Sequence, residues 1–165
     1  KSTLDESAAI SQRWVKERKE SQARVAMEEQ KAALEPKKIE FSRQPEGIVV
    51  EAMLNKKLRV SLVLDTGASL VVITEDVAKK LGIDIAKQEK TIKLITADGN
   101  QTEAKYIILE SISVQQAQAN NVEAGIIPNS TQKPGFKDGL LGASFLNRFN
   151  FKINQRTNRL ILEKI

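Results

Sequence analysis

Asp65 follows the apolar run Val60-Ser61-Leu62-Val63-Leu64 and precedes Thr66-Gly67-Ala68-Ser69. A strand that delivers Asp, a small hydroxyl residue and Gly at its end can hold a carboxyl group at a sharp backbone turn. The rest of the composition narrows the chemistry further. The chain has no His and no Cys, so a Ser-His-Asp triad, a Cys-His pair and the usual zinc sites cannot be built from it. What remains is acid chemistry on carboxyl groups, and Asp65 is the best-placed candidate.

The elements that must position this carboxyl read as short strands. Segments 48–54 and 57–64 flank Asn55-Lys56, a hairpin turn. After the Asp65 loop, Leu70-Val71-Val72-Ile73 reads as a second buried strand. Thr74 then caps a short helix through Leu81, with Glu75 and Asp76 in its first turn and Gly82 at its end. Segment 90–95 alternates, turns at Asp98-Gly99 and returns over 103–109; Asp-Gly between β-prone segments is a hairpin signal. Segments 111–114 and 124–127 are expected as further strands. Asp138-Gly139 reads as a turn before Leu140-Leu141-Gly142, with a short helical turn near Phe145. Segments 149–153 and 159–165 form a closing hairpin around Gln155-Arg156-Thr157-Asn158.

Taken in this order, these features resemble the retroviral-type (retropepsin-like) aspartic proteases, particularly their bacterial single-domain members. The resemblance covers residues 46–165. It rests on Asp65-Thr66-Gly67 at the end of a hydrophobic strand, a hairpin with Asp98-Gly99 at its tip, and Asp138-Gly139-Leu140-Leu141-Gly142 running into Ala143-Ser144-Phe145-Leu146. Asp-Thr-Gly alone is a weak signal; joined to its companions in sequence order it becomes a strong one. The fold implied is mostly β, a closed β-barrel-like acid-protease fold with one short internal helix. The activity implied is that of an aspartic endopeptidase.

Peptide hydrolysis without a metal or a covalent nucleophile needs water activated and the carbonyl polarised together. Two carboxyls sharing one proton do both, and because like charges a few ångströms apart resist joint ionisation, their pKa values split. This chain has one Asp-Thr-Gly and no second Asp-[Thr/Ser]-Gly. The resemblance therefore implies a homodimer with one Asp65 from each subunit on the two-fold axis. It assigns Thr66 a cross-subunit hydroxyl contact, Gly67 a close backbone approach, and Ser69 a position facing the substrate backbone. Ala68 stands where two-copy pepsin-like chains carry Ser; the missing hydroxyl donor is expected to move activity towards weakly acidic pH. The hairpin around Ala97-Asp98-Gly99-Asn100 would be a flap closing over an extended peptide. Val72, Ile95, Ala97 and Leu141 are expected near the substrate, with the Leu-Leu-Gly segment packed beneath the catalytic loop. A second reading keeps the fold without strong catalysis, as a dimerisation or interaction module working through its helical arm.

That arm covers residues 1–40, followed by a linker over 41–47 and the protease-like domain over 48–165. Ala, Glu, Lys, Gln and Arg dominate it, and no Gly or Pro interrupts before Pro36, which favours one long α-helix. Leu4, Ile10, Trp14, Val15, Val25, Met27 and Leu34 keep no heptad, against a coiled coil. A stalk, a pro-segment and a docking helix all fit; if the arm is a pro-segment, the region of Phe41-Ser42 is the expected cut site. The apolar C-terminal segment 160–165 is expected as an interface strand.

Net charge is +5, from 26 basic and 21 acidic residues, and 41% of residues are hydrophobic. Basic residues number 9 against 8 acidic ones up to residue 40, and 17 against 13 beyond it. With the excess spread out and no Lys/Arg block interleaved with aromatics, nucleic acid is not an expected partner. The expected partners are a peptide or protein substrate and a second copy of the chain. No cofactor or metal is implied. No apolar run reaches the roughly 18 residues of a membrane span. Localisation is open; a tether upstream of residue 1 would place the domain at a bacterial cell envelope or in the periplasm.

Overall fold

Alternating apolar residues fold the body of the chain into strands, and an uninterrupted run of helix formers makes the segment before it helical. The computed structural model describes residues 2–45, 47–95, 99–129 and 137–165, leaving aside the side chains of 2–4 and 32–34. The chain divides into two units, Lys1–Glu35 and Pro36–Ile165. The first is helix α1 (Ser2–Leu34). Its described side chains are exposed, Trp14 at 66% among them. An Arg13–Glu17 pair at 3.1 Å spans one turn, an exposed contact worth a few tenths of a kcal/mol, ~0.3–0.5. Pro36 disfavours helical backbone at the residue before it, and the helix stops there.

The second unit begins two residues after the helix ends. Strands β1 (Lys37–Glu40), β2 (Ser42–Gln44), β3 (Gly47–Leu54), β4 (Leu58–Leu64) and β5 (Val71–Thr74) lead to helix α2 (Glu75–Lys80) and a 3-10 turn at Ile85–Lys87. Strands β6 (Thr91–Ile95), β7 (Gln101–Val114), β8 (Ala117–Ile127) and β9 (Gly139–Leu141) precede helix α3 (Ala143–Leu146), and β10 (Phe149–Asn154) and β11 (Arg159–Lys164) finish the chain. Eight strands lie in the order β2-β3-β4-β9-β5-β8-β7-β6. An additional pairing of β3 with β7, Met53 opposite Ser113 and Leu54 opposite Ile112, closes this sheet on itself. The fold is thus mostly β, a closed barrel with the short internal helices α2 and α3, preceded in the sequence by the long helix α1. Leu54, Leu62, Ile73, Leu109, Ile112, Ile126, Leu141 and Phe145 fill the barrel.

Local signals explain the corners. Asn55 and Lys56 both adopt positive φ, 50° and 56°, and turn β3 into β4. The Thr74 side chain accepts a hydrogen bond from the Val77 amide at 3.3 Å, capping α2, and Gly82 at φ 79° lets the chain leave it.

Three segments differ from the reading of the sequence. Residues 37–40 and 42–44, read as the end of the arm and part of a linker, are strands: β1 pairs with β11 and β2 with β3. Ile39 and Phe41 drive this, because both side chains are buried in the core. The Phe41 amide donates to the Asn158 carbonyl at 3.1 Å, so the Phe41–Ser42 bond is held inside the body rather than offered as a cut site. Residues 101–114 and 117–127 form one long hairpin instead of several short strands. The C-terminal strand β11 is no free edge: it is the middle strand of a separate three-stranded sheet, β1-β11-β10.

Candidate active site

Strand β4 runs parallel to β9, with Leu64 opposite Leu141, and ends at Asp65. The Asp65 amide donates to the Leu141 carbonyl at 3.1 Å, continuing the ladder by one bond. The chain then turns: the Ala68 amide donates to the Asp65 carbonyl at 3.3 Å, and the Gly67 amide donates to Asp65 Oδ1 at 2.9 Å. That last bond orients the carboxylate across its own loop, and a Cβ on Gly67 would stand 3.3 Å from the same oxygen. Asp65 and Ala68 are half-buried, whereas Thr66, Gly67 and Ser69 are exposed.

The segment after β9 holds this loop from beneath. The Ala143 amide donates to the Ala68 carbonyl at 2.8 Å. Ser144 Oγ accepts from the Val71 amide at 2.9 Å and donates to the Glu123 carbonyl at 2.7 Å, tying α3 to β5 and β8. Between them Gly142 passes so close that a Cβ would lie 2.2 Å from the Leu70 carbonyl oxygen and 2.9 Å from that of Ala68. Any side chain there must push the Asp65 loop away. Gly139 is as constrained: at φ +152° its Cβ would fall 1.9 Å from the Val72 carbonyl oxygen.

Asp138 does more than turn the chain into β9. Its Oδ2 accepts from the Ser61 amide at 2.8 Å, its amide donates to the Ser61 carbonyl at 3.2 Å, and its carbonyl accepts from the Thr74 amide at 3.3 Å. One residue thereby joins the strand entering the Asp65 loop to the strand leaving it. Sequence reading took Asp138 as a turn residue only; an acidic side chain beside Gly139 at the entry to the apolar Leu140-Leu141 was the available signal.

A small apolar cluster lies apart from the main core. Val72, Ala104 and Ile127 form its centre, with Ile92, Leu94 and Leu140 packed against it. Opposed residues of neighbouring strands share a face, and the registers Val72–Leu140, Val72–Gly125 and Ala104–Ile92 put these side chains on one side of the sheet. Val72 is therefore at the centre of this second apolar cluster. Leu141 is fully buried in the main core; successive strand residues point to opposite faces, and Leu140 is the one that joins the Val72 cluster. The same alternation separates Leu94, in the cluster, from Ile95, which is 75% exposed. Ala97 and Asp98 lie outside the described residues, and Gly99, at φ +81°, has open space around it. Among the described residues no three acidic side chains gather closely enough to hold a metal ion, and no helix is long and apolar enough to cross a membrane.

Comparison with known proteins places this geometry. The profile of an aspartyl protease family matches residues 50–145, from β3 through the first residues of α3. A retropepsin-like aspartic protease from Rickettsia conorii, solved by crystallography, is 30% identical, with a TM-score of 0.60 over 79% of this chain and 92% of its own. An uncharacterized Sinorhizobium protein encoded in the region 5′ of cobV is 29% identical over 124 residues, 70% of this chain and 51% of its own. An uncharacterized protein of Rickettsia prowazekii is 32% identical over 107 residues, 64% of this chain and 43% of its own. The chain thus spans about half the length, or less, of the curated relatives it matches.

Proposed function

The chain belongs to the aspartyl protease family, and from that premise we propose that it is a homodimeric aspartic endopeptidase. The observation that carries the reading is the loop of Asp65. Its carboxylate is oriented by the Gly67 amide, the loop is braced by Leu141 and Ala143, and Thr66, Gly67 and Ser69 stand exposed around it. One such loop supplies one carboxyl, and the chemistry needs two. A second copy related by a two-fold axis provides the other and covers the exposed loop residues.

In the dimer one Asp65 is ionised and its mate is protonated, because two like charges a few ångströms apart do not both ionise. The carboxylate takes a proton from a water molecule as the water oxygen bonds to the scissile carbonyl carbon. The carboxylic acid gives its proton to the carbonyl oxygen, and a neutral gem-diol results. The first Asp65 then gives its proton to the amide nitrogen while the second takes one from a gem-diol hydroxyl, so the C–N bond breaks, an acid and an amine leave, and the pair is again left sharing one proton. Val72 and Leu140, with Ile92 and Leu94 on the β6 hairpin, offer an apolar wall to a substrate side chain. The β6–β7 hairpin supplies the flap that excludes water.

The test is cleavage of a mixed peptide library between about pH 4 and 7, the range suited to carboxyls sharing a proton. Cleavage by the wild type that disappears in Asp65→Asn, with dimer and fold retained, is the expected result. Cleavage unaffected by that substitution would contradict the reading. Absence of cleavage by a confirmed dimer would leave the fold serving as an interaction module.

A further inference from the structure

We propose that Glu123, held by the Tyr106 phenol at one end of the apolar wall, selects substrates that carry a lysine or arginine side chain two positions from an apolar one. The inference rests on the peptidase reading above and narrows the class of peptide that this site takes.

One row of residues crosses the sheet at this wall. Tyr106 on β7 lies opposite Gly125 on β8, Gly125 opposite Val72 on β5, and Val72 opposite Leu140 on β9. A Cβ on Gly125 would stand 3.3 Å from the Ala104 Cβ and 3.5 Å from Cδ1 of Ile92 and of Leu94, so this face of β8 looks into the cluster around Val72. Val122, Ala124 and Ile126 point the other way, into the main core. By the same alternation Glu123, two residues before Gly125, stands on the cluster's side. Unlike the apolar residues beside it, Glu123 is charged and exposed.

The carboxylate is held in place by its neighbours. Tyr106 donates its phenol hydrogen to Glu123 Oε1 at 2.5 Å, the diagonal contact that long side chains make between adjacent strands. The Lys90 ammonium lies 4.0 Å from the centre of the Tyr106 ring, and the Tyr106 amide donates to the Lys90 carbonyl at 2.8 Å. The ring is thus fixed at its face and through its backbone. Among the described residues no basic side chain forms an ion pair with Glu123. One oxygen is engaged by a neutral donor, and the charge is left for a cation. A guanidinium or ammonium group that reaches it forms a charge-assisted hydrogen bond without first having to order the carboxylate. An acidic side chain would meet it as a like charge.

The segment that holds the Asp65 loop also holds Glu123. Ser144 Oγ donates to the Glu123 carbonyl at 2.7 Å and accepts from the Val71 amide at 2.9 Å, while the neighbouring Ala143 amide donates to the Ala68 carbonyl at 2.8 Å. Glu123 therefore keeps a fixed place relative to Asp65. Along an extended peptide, residues two apart share a side and lie about 6.4–6.8 Å from each other. The same spacing separates Gly125 from Glu123 on β8. A peptide laid along this direction with an apolar side chain on Val72 and Leu140 brings the side chain two positions away to Glu123.

The test is cleavage by the full chain of a peptide library that varies the residue two positions to either side of an apolar one, with norleucine as the uncharged counterpart of lysine. Lysine and arginine should be preferred. The ratio of kcat/KM for the lysine peptide to that for the norleucine peptide should fall about tenfold in Glu123→Gln, the loss of one charge-assisted contact. Glu123→Lys should turn the preference towards acidic residues. Tyr106→Phe, which lacks the anchoring hydroxyl, should lower the ratio through KM with kcat held. Glu163→Gln, an exposed position on the separate three-stranded sheet, should leave the ratio unchanged, and added salt should lower it in the wild type. Cleavage with no preference for a basic residue, or with a preference that survives Glu123→Gln, would overturn the assignment and leave the peptidase standing. A confirmed dimer that cleaves no member of the library would overturn both.

Discussion

Gly142 leaves no room for a methyl group between the carbonyls of Leu70 and Ala68, which makes it a sensitive support of the Asp65 loop. Gly142→Ala is expected to cost about 1–3 kcal/mol in denaturant unfolding, as overpacking against a rigid surround does. Cleavage should fall by more than this loss of stability alone explains, since the displaced backbone carries Ala68 with it. A variant of wild-type stability would contradict the close approach. Tyr106 on β7 is the chain's one tyrosine and therefore an isolated probe. Its phenol is raised above the ordinary value of 10.0, first by its hydrogen bond to the Glu123 carboxylate, then by desolvation and by the nearby negative charge. A raised phenol favours the protonated form in the folded state. Its stabilising contribution is therefore complete below the ordinary value and is lost as pH climbs through the raised one. Ultraviolet titration should show the transition moving down in Glu123→Gln; an unchanged transition would remove Glu123 as the cause.

At the scale of elements, Asp138 ties β4 to β9 and β5 by three bonds, the carboxylate bond to the Ser61 amide being one. Asp138→Ala should destabilise the body by about 1–3 kcal/mol, the cost of leaving a partly buried donor unsatisfied. Asp138→Asn, which keeps an acceptor, should cost less; equal losses would point away from the hydrogen bond. Elements with strong local chemistry were legible in the residues alone: the Asp65 loop, α2 between Thr74 and Gly82, the turn at Asn55-Lys56, and the β10–β11 hairpin. The long β7–β8 hairpin was not. Its turn uses Gln115 at φ 52° rather than Gly or Asn-Gly, and Glu110, Ser113, Gln118 and Asn120 interrupt any apolar run. Strands β1 and β2 were hidden because Pro36 and Pro45 bracket them, and because Ile39 is buried only through pairing with a strand some 120 residues away, Leu160 opposite it. The exchange of Leu141 for Leu140 in the cluster beside Val72 reflects the same limit. Alternation tells that two neighbours face apart, but partners from other strands decide which one faces the core.

The whole molecule combines a helix and a barrel, and among the described residues the buried core comes from residues 39–162. Removing residues 1–35 should therefore abolish much of the helical circular dichroism while leaving the unfolding midpoint of the body in place; a large fall would show that the helix stabilises it. On the homodimeric reading proposed above, activity is a property of pairs rather than chains. The direct test is to let wild-type chains exchange subunits with increasing amounts of Asp65→Asn and follow cleavage per wild-type chain. If each site needs an Asp65 from both copies, that activity falls in proportion to the wild-type fraction as mixed dimers form. Activity per wild-type chain that stays constant through the titration would mean one Asp65 suffices, and the two-carboxyl account would be wrong.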